Sequence, residues 1–228
     1  MNKITVIVAL WMTVVTSDAG AVANPRSNGV ADLPPFIHVR PAAGTNGGLE
    51  QRFLTDRINE LEDRSPTFSE MLRTLGALPP VTVLLAPRVN LLLEDKLIGR
   101  TTLRISEGIL VAWVDVLVDR ERPDRSVEAI GHELAHVFEA SCLKGSNSIV
   151  TLQSELEGLA SMPQYRSWRG GRYETQLPSA VGRAVVREWA GGRATSQFQA
   201  LTKRYGLGDC IRQSPRSTVP PPIKAGGY

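Results

Sequence analysis

An α+β domain is expected, and three features predict it: helix-periodic segments ahead of Pro79-Pro80, β-rich runs between Val81 and Val118, and a return to helical patterning after Pro123. The implied architecture is a small antiparallel sheet followed by a helical half.

The chain opens with one cation at Lys3, an apolar run from Ile4 to Val15, and small residues ending at Ala21-Val22-Ala23. That is the pattern of a secretory signal peptide over residues 1–23, cut after Ala23. Its apolar run is too short to span roughly 30 Å of hydrocarbon as a helix, so a secreted or periplasmic protein without stable membrane insertion is expected. Residues 24–48, rich in Pro, Gly and Asn, read as an extended leader, and 213–228, with STVPPPIKAGGY, as a disordered tail. The domain proper is then expected over 49–212.

Within it, LEQRFLTDRINELE places Phe53, Ile58 and Leu61 at helical spacing. A second helix from Thr67 stops at Gly76 and the Pro79-Pro80 pair. VTVLLA from Val81, GRTTLRI from Gly99 and ILVAWVDVLV from Ile109 read as strands, the last two joined by a short hairpin loop at Ser106-Glu107-Gly108. After Pro123 a helix capped by Asp124 runs to about Ala140, and Lys144-Gly145 stops it.

Net charge is +3 with the cations dispersed, which points to neither nucleic acid nor a membrane surface. Cys142 and Cys210 are the two cysteines, and export lets a bridge between them persist. Closing so long a loop would contribute about 4 kcal/mol on the loop-entropy model; two free buried cysteines are the alternative.

The chemistry concentrates in GHELAHVFEA, residues 131–140. Val127, Ile130, Leu134, Val137 and Phe138 share one face of the predicted helix and seat it on a core. His132 and His136 fall on the other side, one turn apart, where two imidazoles can converge on a zinc ion about 2.0–2.1 Å from each nitrogen. Glu133 points roughly 100° away, suited to a general base on water rather than to a ligand. Two exposed histidines beside an ordinary glutamate is the plainer reading of the same helix.

A third ligand must come from His38, Glu139, Glu155 or Glu157. His38 lies in the leader with nothing to fix it, and Glu139 shares a helix with both histidines, which suits a residue behind the ligands. In SELEGLASMPQY, Glu155 and Glu157 project to nearly opposite sides of a helix, so one of them can face the histidines. Gly158 and Ala160 beside Glu157 would permit close helix approach.

These residues resemble the gluzincin branch of zinc metallopeptidases, where H-E-x-x-H precedes a helix bearing a glutamate ligand. In the aminopeptidase N type that helix reads N-E-G-F-A-S, matched here by Glu157-Gly158-Leu159-Ala160-Ser161 with Leu156 in place of Asn. The resemblance implies a zincin-like fold with two active-site helices, Zn2+ held by His132, His136 and Glu157, and Glu133 as base. The family's spacing from the second histidine lands instead on Glu155, which stays open as the competitor. The G-A-M-E-N segment that reads a substrate amino terminus is absent, which argues against an aminopeptidase. For the oxyanion-stabilising residue the candidates are Tyr165 and Tyr173, with Arg172 and Tyr205 behind them. A peptide or protein substrate is implied; the alternatives are an exported domain that binds zinc without turnover, or one that binds a partner.

Overall fold

The computed structural model describes residues 33–41, 48–88, 98–143, 149–159, 174–192 and 195–213. The expected signal peptide, most of the leader, and the tail from residue 214 lie outside them. In chain order the elements are β1 (Ile37–Val39), α1 (Gly48–Arg64), α2 (Pro66–Ala77), β2 (Val81–Arg88), β3 (Gly99–Ser106), β4 (Ile109–Leu117), α3 (Pro123–Cys142), α4 (Ile149–Leu159), α5 (Gln176–Gly191), α6 (Phe198–Arg204) and α7 (Gly208–Gln213). This is a mixed α+β arrangement around a four-stranded sheet of order β1-β2-β4-β3. None of the described helices is long and apolar enough to cross a membrane.

The sheet is not antiparallel throughout. β1 and β2 pair in parallel, as do β2 and β4, and β3 alone runs antiparallel, against β4. Parallel neighbours need a long crossover, and α1 and α2 supply it between β1 and β2. β1 itself lies inside the segment expected as leader, so the sheet begins before residue 49. His38 sits on it, exposed.

Strand alternation then builds the core. Val81, Val83 and Leu85 of β2 align with Leu110, Ala112 and Val114 of β4 on the buried face. α3 packs over β3 and β4, and α1 over β1 and β2. The apolar stripe expected on α3 is buried in full: Val127, Ile130, Leu134, Val137 and Phe138 are all 0 % exposed. On α1 the third buried residue beside Ile58 and Leu61 is Leu54, whereas Phe53 lies under the Arg57 guanidinium.

The ends of the elements have local causes. At the β3–β4 hairpin, Glu107 and Gly108 take φ of 51° and 75°, the left-handed pair of a two-residue turn that matches strand twist. Pro66 and Pro123 open α2 and α3, where a missing N–H costs nothing. Asp124 is not the cap expected of it. It lies in the first turn of α3 and suits the helix dipole, while Arg122 holds the cap position and Asp119 Oδ1 accepts from the backbone N–H groups of Glu121 and Arg122. α3 continues to Cys142, which is bridged to Cys210 on α7 across a separation of 68 residues.

Glu188 ties α5 to α2. Its carboxylate is 2 % exposed and accepts from Ser65 Oγ at 2.7 Å, Thr67 N–H at 2.9 Å and Thr67 Oγ1 at 2.6 Å. The negative charge lies at the α2 N-terminus, where the helix dipole favours it. Glu188→Ala would strand all three donors, and a stability loss of about 3 kcal/mol is expected in urea unfolding. Glu188→Gln, which keeps an acceptor, should lose less; equal losses would show that filling the space matters and the carboxylate does not.

Candidate metal centre

α3 is buried along most of its length, and α5 packs against it beside the histidines, which are half-buried. The crossing is close where side chains are missing. A Cβ on Gly131 would lie 3.2 Å from Val185, and one on Gly182 would lie 3.1 Å from the Glu128 carbonyl and 3.4 Å from His132 Cβ. The small residues expected to allow a close approach were Gly158, which is on α4, and Ala160, which lies outside the described residues; the close approach found is between Gly131 and Gly182.

This crossing brings the residues just ahead of α5 up to the histidines. Glu174 Oε1 stands 3.3 Å from His132 Nε2, and its Oε2 stands 3.7 Å from His136 Nε2. The imidazoles meet edge to face with centroids 4.9 Å apart. One ligand atom from each of His132, His136 and Glu174 falls within 4.8 Å of the other two. Ligands about 2.0–2.1 Å from a tetrahedral ion sit roughly 3.4 Å from one another, so two imidazoles and one carboxylate here could hold a divalent metal after small side-chain adjustments. Among the described residues this is the group of histidines and acids that qualifies.

The carboxylate that meets the two histidines is therefore Glu174, where Glu157 or Glu155 was expected. Glu157 is exposed on α4 and Glu155 half-buried on the same helix, and neither belongs to the group. Glu174 instead falls with Thr175 just ahead of α5, outside any helix. Its signal in the sequence was indirect: a helix of Leu177, Val181, Ala184 and Val185 with Gly182 set among them, a face made for tight packing.

Behind the histidines, Glu139 is 2 % exposed. Its Oε2 faces His136 Nδ1 at 3.4 Å and accepts from Thr175 Oγ1 at 2.5 Å. Ser179 Oγ donates to Glu174 Oε1 at 3.2 Å. Burial disfavours charge on His136, but the facing carboxylates of Glu139 and Glu174, with Glu133 adding to them, outweigh it and push its pKa up to about 10. Burial likewise opposes the Glu174 carboxylate, and the two imidazoles outweigh that and hold it well below the usual carboxylate range.

The signs give a pH window. In metal-free protein the His136 contribution to stability is complete below its ordinary value of 6.5 and fades as pH rises through about 10. Glu174 contributes above 4.5 and its share is lost as pH falls. A metal needs the imidazole neutral, so loading at pH 8 is expected to release about one proton per ion. Titration calorimetry in buffers of different ionisation enthalpy reads that number; a value near zero would show that His136 is already neutral.

Glu133 is held apart from the ligands. It is 4 % exposed, and its Oε2 accepts from Thr101 Oγ1 on β3 at 2.7 Å. Its other oxygen lies over Gly99, where a Cβ would come within 2.5 Å of it. Neither Gly99 nor Thr101 is singled out by its sequence context. Tyr165, Tyr173 and Arg172 lie outside the described residues. Tyr205, half-buried under the Arg204 guanidinium, lines a cavity of about 280 Å³ with Glu139, Leu159, Thr175, Leu177 and Arg204.

Compared with models of protein families, with curated proteins and with solved structures, this chain matches none.

Proposed function

We propose that this chain is an exported zinc metallopeptidase of gluzincin type with a zincin-like fold. The observation that carries the reading is the convergence of His132, His136 and Glu174, with Glu133 on the same helix hydrogen-bonded to Thr101 of β3. Two imidazoles and a carboxylate suit Zn2+ among the common divalent ions, and three protein ligands leave a position for chemistry. When bound, the ion supplies Lewis acidity that polarises a carbonyl and acidifies water.

The protein's own groups do the rest. His132, His136 and Glu174 would hold the ion. Thr101 fixes the Glu133 carboxylate through Oε2, and that carboxylate would take a proton from attacking water and return it to the leaving amine. β4 is an interior strand, whereas β3 forms the edge of the sheet over which α3 packs, so an extended peptide would lie along β3 with main-chain hydrogen bonds. The Cys142–Cys210 bridge supports export, since such bonds persist in oxidising compartments.

The test is metal-dependent cleavage of a mixed-sequence peptide library by the purified protein. Zinc bound at one per chain, activity lost to a chelator and regained with zinc is the expected result. Stoichiometric zinc without cleavage would leave a binding protein in its place, and absence of bound metal after loading would sink both.

A further inference from the structure

Each end of the His136 ring meets an acid: one is Glu174, and the other, Glu139, is held by the residue that follows Glu174, Thr175. Nε2 faces Glu174, and Nδ1 faces Glu139, whose oxygen is gripped by Thr175. Glu139 and Thr175 are 2 % and 3 % exposed. With a metal ion on the Nε2 side, the one proton of the neutral imidazole would reside on Nδ1, where Glu139 accepts it. The lone pair is then on Nε2, the atom turned toward Glu174.

We infer that Glu139 and Thr175 form a positioning pair for His136, so that the dipeptide Glu174-Thr175 delivers the third ligand and orients the second one together. The inference rests on the metal reading above. Glu139 reaches His136 from one turn along α3, but alone it could swing; Thr175, arriving from the start of α5, holds its carboxylate in place. Close packing at Gly131 and Gly182 sets how near that start can come. Loss of either member should leave all three ligands present and the second histidine poorly aimed.

Zn2+ and Co2+ affinities by chelator competition test this without a substrate. Glu139→Gln and Thr175→Val are each expected to weaken binding about 10–100-fold. Thr175→Ser, which keeps the hydroxyl, should stay within about threefold of the wild type. Histidine 15N spectra of the zinc-loaded wild type should show the His136 proton on Nδ1, and the Co2+ absorption bands should shift in Glu139→Gln and Thr175→Val but not in Thr175→Ser. Thermal unfolding of the metal-free proteins separates aim from fold, since a merely structural role would move melting without moving the spectra. Wild-type affinity in both Glu139→Gln and Thr175→Val overturns the inference and leaves the metal reading standing. A wild type that binds neither ion removes the metal reading and this inference with it.

Discussion

Glu174→Ala is expected to weaken zinc binding by at least about a thousandfold, close to 4 kcal/mol, whereas Glu157→Ala and Glu155→Ala stay within a few-fold of the wild type. Removing Glu174 leaves two imidazoles from a single helix, which grip an ion from one side only. It also removes the carboxylate that offsets positive charge between His132 and His136. Glu157 and Glu155 are on α4, outside the three-residue group. Chelator competition on the three variants, with folding checked by circular dichroism, decides the matter. A collapse of affinity in Glu157→Ala with Glu174→Ala intact would return the third ligand to α4.

Glu133→Gln should lower peptide turnover by about 10²–10⁴-fold, the range that one proton-transferring side chain contributes, while zinc content stays at the wild-type level. The amide fills the same space and can still accept from Thr101, so folding and ligand geometry should survive. Gly99→Ala offers a second route to the same effect. Its methyl group would displace the Glu133 carboxylate without touching a ligand, so turnover should fall with metal affinity unchanged. Full activity in Glu133→Gln would show that some other group takes the proton.

Local periodicity made much of the fold legible. The two leading helices, β2, β3 and β4, and the apolar face of α3 all have repeats long enough to read. β1 did not: three residues, Ile37–Val39, between proline-rich flanks, hold no period. Without it a hairpin meander was the natural inference, and the parallel pairing of β2 with both neighbours was out of reach. The site divides along the same line. His132 and His136 are four residues apart on one helix, so spacing alone sets their geometry. The position of Glu174 depends on how α5 crosses α3, and loop length says little about that because long loops close at nearly the same cost. Glu157 carried the more familiar local pattern, whereas the packing at Gly131 and Gly182 brings Glu174 to the histidines.

The α3–α5 crossing would also turn a bound metal into a clock for folding. α3 makes its two imidazoles available as soon as one helix forms, whereas Glu174 and Thr175 join them only after α5 has found its groove, a long-range event that tends to come later. A chain caught between those moments would hold zinc weakly and exchange it fast. Stopped-flow refolding with a zinc indicator should therefore show tight capture lagging behind helix formation, with the delay measuring how long the two glycines take to meet.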